Sequence, residues 1–413
     1  MADFRAYRDR FLEPLVRAAI ADTRVVAIAG PRQAGKSTLA WHLSGGAGSY
    51  YTLDDLGTRA AAEADPSAFV RSLPIGAVID EVQRLPDILY AVKAVVDVDP
   101  TPGRFVLTGS ANLLTIPTIS ESLAGRMELL TLYPFSQAEI EKRKGNFVDE
   151  IFREAATFAA SAGDAEDLIY RVMTGGYPEV LGREIESRRN AWFHSYVTTI
   201  LQRDVRDMSA IADLRGMERL LRLCAARSSS ILNETALASE VAMPRKTVGR
   251  YLGLLEQLYL VQRLPAYARE RGRRITKSPK IHLVDVGLAA YLFGADFHQL
   301  SNNRSMFGGL LETLVVNEIR AQASWSDARP QLFHYRETEG LEIDLILEKR
   351  DGSIVAIEVK STTTPGEADF KAMRVFAESA GASFKRGILL YGGAKPLAFG
   401  ERFVALPIAN LWS

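Results

Sequence analysis

The sequence predicts an α/β protein of several domains, with a parallel sheet at its N-terminal end and a second α/β layer at its C-terminal end. Three observations carry that prediction. Short apolar runs alternate with helical stretches over residues 1–134, the pattern of a parallel layer. A glycine-rich segment, Gly30-Pro31-Arg32-Gln33-Ala34-Gly35-Lys36-Ser37, joins the first of those runs to a helical stretch, TLAWHL. Near the other end, EIDLILE and SIVAIEVKS read as strands around Arg350-Asp351-Gly352, a three-residue turn with glycine where a left-handed residue is needed.

Composition bounds what the chain can be. At 413 residues, 47% hydrophobic and 24% charged, it is long enough for two to four globular domains, which excludes a disordered or fibrous chain. Fifty Lys and Arg balance fifty Asp and Glu, so no overall charge announces a nucleic-acid or membrane partner. The single cysteine, Cys224, excludes an intrachain disulfide and any multi-cysteine metal site. It lies in an apolar helical stretch, RLLRLCAAR, and reads as core. His42, His194, His282, His298 and His334 are scattered without metal-binding spacing. No apolar run approaches the roughly 18 residues that span a bilayer. The opening MADFRAYRDRF lacks the apolar core of a signal peptide, so a soluble, cytoplasmic protein is expected.

The first strand, VVAIAG, is uniformly apolar, as a buried parallel strand is. Strand, Gly-x4-Gly-Lys-Ser, helix is the order of a phosphate-binding loop. The loop from Gly30 to Thr38 would wrap the phosphates of ATP, turning inward the backbone N–H groups of all its residues but Pro31, at a helix N-terminus that favours anions. Lys36 would reach the β- and γ-phosphates, and Ser37 would ligate Mg²⁺. SYYTL (49–53), GAVIDE (76–81), RFVLTG (104–109) and LLTL (129–132) supply further strands. The second of these runs ends in Asp80, a Mg²⁺ partner, and Glu81, which would polarise the attacking water. Ser110 and Asn112 follow the strand at 104–109, where ligands of such sheets collect; Ser110 is a γ-phosphate sensor or a helix cap. Arg126 is either a finger reaching a neighbouring subunit's γ-phosphate or a surface ion pair.

Global neutrality hides a basic segment. From Arg215 to Lys280 there are 14 Lys and Arg against 5 Asp and Glu, a local net of +9. It contains a short helix around ALASEV, a turn at AMP, and a longer helix whose Val248, Leu252, Leu255 and Leu258 make an apolar stripe. Arg245, Lys246 and Arg250 fall at the start of that helix, the end that contacts bases in helix-turn-helix proteins. Strand-like VQRLPAY and IHLVDV flank ARERGRRITKS, a basic hairpin carrying Arg271, Arg273 and Arg274. Together these describe a winged helix with DNA as its partner, or a winged helix used against protein.

In the C-terminal hairpin, a loop at 350–352 sets Lys349 opposite Ser353, and counting back sets Asp344 opposite Glu358. Lys360, two residues on, shares that sheet face. Two adjacent carboxylates call for a positive partner, and Mg²⁺ fits. Lys360 would then activate a water for phosphodiester attack. The alternative is an exposed Glu358–Lys360 pair, with Asp344 beside an arginine such as Arg336.

RQAGKSTL, LDD (53–55), IDEVQRLPDIL, LTGSANLL, SLAGRMELLTLYPFS, GGYPEV, LQRDVRD, SPKIHLVDVGLAAYLFG, EIDLILE and AIEVKS together resemble a large bacterial family of AAA+ ATPases with a nuclease-like C-terminal domain. The resemblance implies an AAA+ core at 1–134, a helical lid at 135–212, a winged helix at 213–298 and a PD-(D/E)XK-like domain at 299–413. In the lid, Arg203 and Arg206 are either nucleotide sensors or partners of Asp204 and Asp207. The nuclease family's helical glutamate, in Gly-x3-Glu, maps onto Gly308 and Glu312, with Glu318 a rival. The expected protein is a homo-oligomer, plausibly a hexamer, that couples ATP hydrolysis to remodelling of DNA, including branched DNA. An ATP-gated nuclease and an ATP-switched DNA-binding regulator or defence protein are the alternatives.

Overall fold

A computed structural model describes residues 7–110, 123–161, 165–205, 213–337 and 340–413. The chain divides into two compact units, one of residues 1–135 with 257–259, the other of 136–256 with 260–413. Each is described by itself.

The first unit is built on five strands: β1 (Val25–Ala29), β2 (Tyr50–Thr52), β3 (Ala77–Asp80), β4 (Phe105–Gly109) and β5 (Met127–Thr131). Their order across the sheet is β2-β3-β4-β1-β5, and every pair is parallel. β1, β3 and β4 are wholly buried, which explains their unbroken apolar sequences. Their side chains pack with Ile88, Leu89, Val92 and Val96 of the helix Ile88–Val98 into one core. Among the described strands, all five expected here form.

Two motif stretches meet inside this unit for structural reasons. Asp55 caps the helix Leu56–Ala64, accepting from the Thr58 N–H at 2.8 Å. Asp54 pairs with Arg84 at 3.0 Å.

The second unit opens with short helices whose partners lie far along the chain. The buried Glu318 carboxylate accepts from the N–H groups of Gln137 at 2.6 Å and Ala138 at 3.4 Å. Trp325 donates to the Gly145 carbonyl at 3.0 Å, and Arg386 to the Arg153 carbonyl at 3.1 Å. Residues 136–161, expected in a helical lid, are thus fastened to the C-terminal part of the chain, because their exposed helix ends find buried acceptors and donors there.

Next come the helices Leu214–Ala226, Glu234–Glu240 and Arg245–Gln257. Strands β6 (Val261–Leu264) and β7 (Lys280–Leu283) then pair antiparallel, with Ile231 bridged to Lys280. One expectation is corrected between them. The basic stretch is not a bare hairpin: Arg271–Thr276 is a short helix.

GGYPEV and the segment around VDVG pack on each other. Asp285 caps the helix Val286–Phe293 through Leu288 N–H at 2.8 Å and also accepts from Gly176 N–H at 2.7 Å. A Cβ on Gly175 would fall 2.4 Å from the Asp285 carboxylate, so that position, with φ +67, admits only glycine.

The last region carries the helix Arg304–Trp325 and six strands: β8 (Gln331–Arg336), β9 (Glu342–Glu348), β10 (Ile354–Lys360), β11 (Phe384–Tyr391), β12 (Leu397–Ala398) and β13 (Phe403–Pro407). Their order is β12-β13-β11-β10-β9-β8. β10 pairs with β11 and β11 with β13 in parallel, while the β8–β9, β9–β10 and β12–β13 pairs are antiparallel. The expected hairpin register holds. Lys349 N–H donates to Ser353 O at 2.9 Å, Gly352 has φ +84, and Leu345 pairs with Ile357. Continuing that register sets Asp344 opposite Glu358.

Among the described residues, no helix is long and apolar enough to cross a membrane.

Candidate functional site

The phosphate-binding loop needs backbone that ordinary residues resist. Gly30 has φ +144, and a Cβ there would fall 2.1 Å from the Leu132 carbonyl oxygen. Gln33 is left-handed at φ +63 and Gly35 at φ +97, so the chain curls before the helix Lys36–Ser44 begins. Arg10 braces the curl from outside, donating to Ala34 O at 2.7 Å and Tyr133 O at 2.6 Å, with its guanidinium 4.3 Å from the Phe135 ring centre. The buried Lys36 ammonium donates back to Pro31 O at 2.7 Å, which parks it inside the loop. The helix N-terminus and this ammonium together make an anion cradle.

β3 delivers the acids to the same edge. Ser37 Oγ donates to Asp80 Oδ1 at 2.9 Å, so the two residues expected to share Mg²⁺ already touch. Tyr50 donates to the other Asp80 oxygen at 2.7 Å, and Thr108 also donates to Asp80. Burial, with the Asp80 carboxylate beside it, raises the Tyr50 phenol far above its usual range. The donor set fits Mg²⁺, a hard ion that takes one carboxylate, a hydroxyl and waters.

Glu81 follows at φ +60, outside the ordinary glutamate backbone range. Its N–H donates to Thr108 Oγ1 at 3.2 Å. Its carboxylate accepts from the Gln83 amide and, at 3.4 Å, from Ser110 Oγ; Gln83 also donates to Ser110 at 3.0 Å. Ser110 is therefore part of the Glu81 cluster. Asn112 lies outside the described residues.

Arg126 is half-buried and pairs with Asp97 of its own chain, with a second bond to Ala124 O at 3.2 Å. Arg203 sits on a π-helical turn, Ile200–Asp204, in the second unit; Arg206 and Asp207 lie outside the described residues.

The candidate DNA-contact residues separate into two groups. Arg245, Lys246 and Arg250 are exposed on the first turns of their helix, with Arg245 3.9 Å from Glu234. Arg273 is exposed and pairs with Glu270 at 2.9 Å. Arg274 is corrected: its guanidinium donates to Ala268 O at 2.6 Å and to both Glu348 oxygens at 2.5 and 3.1 Å, and lies over Tyr267 and Phe333. It is spent within the fold. The Arg271 side chain lies outside the described part.

At the C-terminal carboxylates, Asp344, Glu358 and Glu312 are all buried, and Glu312, not Glu318, joins the cluster. Lys360 donates to Glu358 Oε1 at 2.8 Å. Burial, with Asp344 beside it, pushes the Glu358 carboxyl above the usual carboxylate range. The centre of the cluster holds the ammonium of Lys280, at 2.8 Å from Glu312, 2.8 Å from Glu342 and 3.0 Å from Asp344. The expected metal site is therefore corrected: the position for a divalent ion is filled by a lysine, and the residues do not fit one. Among the described residues, no group of three or more His, Cys, Asp or Glu is arranged to hold a metal.

The motifs alone hide several of these partners. Tyr50, Thr108, Gln83 and Arg10 sit in or beside recognised segments, yet nothing in their spacing marks them. Lys280 was one cation among fourteen.

With this geometry in place, comparisons with known proteins add three matches by family. An AAA domain family matches residues 22–141; domains of unknown function match 165–299 (DUF8612) and 307–411 (DUF4143). The AAA-family match falls almost wholly on the first unit, whose parallel α/β sheet is consistent with that fold. The middle match runs across the expected boundary at 212/213. Uncharacterised proteins of Mycobacterium bovis and Mycobacterium tuberculosis are each 28% identical over 393 residues, covering 95% of this chain and 82% of theirs. An uncharacterised protein of Haemophilus influenzae is 22% identical, covering 62% of this chain and 60% of its own. A solved signal-transduction ATPase with numerous domains and a tetratricopeptide-repeat sensor, from Pyrococcus horikoshii, is 12% identical. It aligns over 77% of this chain and 47% of its own at a TM-score of 0.26, too low to bear on fold or function.

Proposed function

We propose that this chain is an ATP-hydrolysing, DNA-binding AAA-type ATPase that couples nucleotide turnover to remodelling of DNA as a homo-oligomer. The observation that carries the ATPase reading is the meeting of Ser37, Asp80 and Glu81 beside the Lys36 loop at one sheet edge. Lys36 would exchange the Pro31 carbonyl for phosphate oxygens, neutralising charge there. Ser37 and Asp80 would hold Mg²⁺, which when bound supplies positive charge to the phosphates. Glu81 orients and polarises the attacking water, and Ser110 senses the γ-phosphate end. Arg126 would trade Asp97 for a neighbouring subunit's nucleotide.

The DNA part rests on the exposed Arg245, Lys246 and Arg250 at the start of a helix that follows Glu234–Glu240 by a four-residue turn. Its test is duplex affinity as a function of salt. Replacing all three with Ala should weaken binding at least tenfold and flatten the log–log salt slope by roughly 2 to 3. Unchanged affinity and slope would reassign this face to protein contact.

A second reading, an ATP-bound switch with slow turnover, is favoured by one specific contact. The Gln83 amide occupies the Glu81 carboxylate, where a water would have to be received.

A further inference from the structure

Three elements build the C-terminal carboxylate cluster: the helix Arg304–Trp325 brings Glu312, and the two strands of one hairpin bring Glu342 and Asp344 (β9) and Glu358 (β10). Into its centre β7 delivers Lys280, whose side chain is 1% exposed. The ammonium donates to Glu312 and Asp344 and is ion-paired with Glu342. Asp344 is held from the other side as well, since its second oxygen accepts from Val359 N–H at 3.0 Å. Glu358 has one oxygen on Lys360, and the other is buried with no hydrogen-bond partner.

Lys280 cannot swing aside without breaking more than one contact. Its backbone is paired with Leu264 on β6 and bridged to Ile231, so the strand that carries it is fixed on both edges. A divalent ion bound at Asp344 Oδ1, at about 2.1 Å, would stand against an ammonium 3.0 Å from that same oxygen. Two positive centres in a buried site repel strongly, so ion and lysine exclude each other.

We propose that Lys280 is a built-in cation that takes the place of a divalent metal: the cluster binds no such ion, cleaves no DNA, and instead fastens β7 to the C-terminal helix and sheet. This rests on reading the C-terminal domain as nuclease-like. It makes that domain a binding or coupling element and leaves ATP hydrolysis as the chain's chemistry.

The test uses the full chain, nucleotide-free, with Asp80→Ala in every protein so that the ATP site does not retain metal. Mn²⁺ binding is read by electron paramagnetic resonance, and cleavage by Mn²⁺-dependent nicking of supercoiled plasmid. With Lys280 intact, no stoichiometric Mn²⁺ and no nicking are expected. Lys280→Met, which keeps the stem and removes the charge, should gain about one Mn²⁺ per chain. It should also gain thermal stability from added Mn²⁺, and both gains should vanish on adding Asp344→Asn. If the protein with Lys280 intact binds one Mn²⁺ and nicks DNA, and Asp344→Asn abolishes both, the proposal is overturned while the nuclease-like reading stands. If Lys280→Met folds and gains no Mn²⁺, the nuclease-like reading itself fails. Should Lys280→Met not fold even with Mn²⁺, the arms with Lys280 intact decide alone.

Discussion

Glu81 shows how much one residue is asked to do. Its left-handed backbone costs a glutamate about 1–2 kcal/mol, a strain kept where β3 must turn its last carboxylate toward the loop. Its carboxylate is not idle, because Gln83 and Ser110 both donate to it. Two substitutions separate the residue's role from its restraint. Glu81→Gln should cut kcat for ATP about 100-fold or more while nucleotide binding persists. Gln83→Ala should raise basal turnover several-fold by releasing the carboxylate. If Gln83→Ala instead slows turnover as far as Glu81→Gln does, then Gln83 positions Glu81 and the switch reading loses its support. At this scale Lys36, Ser37, Asp80 and Glu81 are legible in the sequence because a loop and a strand end encode them at fixed spacing. Lys280 is not, because it meets Asp344 from 64 residues away, and no periodicity relates a lysine on one small sheet to an aspartate on another. Thr108 and Tyr50 are hidden likewise: Thr108 faces Asp80 because β3 and β4 align their C-terminal ends, and the Tyr50 hydroxyl reaches Asp80 from the first residue of β2.

Element by element, local rules were most informative where the turn residue decides the geometry. Gly352 fixes the β9–β10 hairpin, and with it the facing of Asp344 and Glu358. The basic stretch after β6 is not legible as a helix because charge says nothing about secondary structure, and Arg274 finds an acid and a ring, Glu348 and Phe333, on the neighbouring sheet and a second ring, Tyr267, just after β6. Arg274→Ala should therefore destabilise the second unit by about 1.5–3 kcal/mol, read in its thermal midpoint, and leave the salt dependence of DNA binding unchanged. A change in salt slope with no loss of stability would restore Arg274 as a phosphate contact. The helix Gln137–Glu141 is held by a buried acid, and this makes a pH prediction. Burial raises the Glu318 carboxyl to about 7 from its ordinary 4.5. A raised acid contributes stability that is fully present below pH 4.5 and is lost as pH rises through about 7. Between pH 5 and 8 the natural protein should lose stability, on the order of 1–3 kcal/mol, that Glu318→Gln does not lose. Identical pH profiles for the two proteins in urea unfolding would mean that Glu318 does not titrate in that window.

For the whole molecule, the division into an ATPase unit and a second unit was foreshadowed by where the motifs fall, but the extent of the second was not. Residues 136–161 looked like a helical extension of the first unit, yet their hydrogen bonds run to residues beyond 300, and such long-range pairing leaves no trace in a local pattern. Charge follows the same lesson: the molecule is neutral, and only segment counts reveal the basic stretch that carries Arg245, Lys246 and Arg250. The proposed function joins these parts: nucleotide turnover at the Lys36 loop would answer to DNA. Steady-state ATP turnover tests it most directly, measured alone and with duplex, single-stranded and four-way-junction DNA, with Lys36→Ala alongside. The prediction is turnover that at least one DNA form stimulates severalfold and that Lys36→Ala abolishes. Turnover that ignores every DNA form, or that survives in Lys36→Ala, would contradict it.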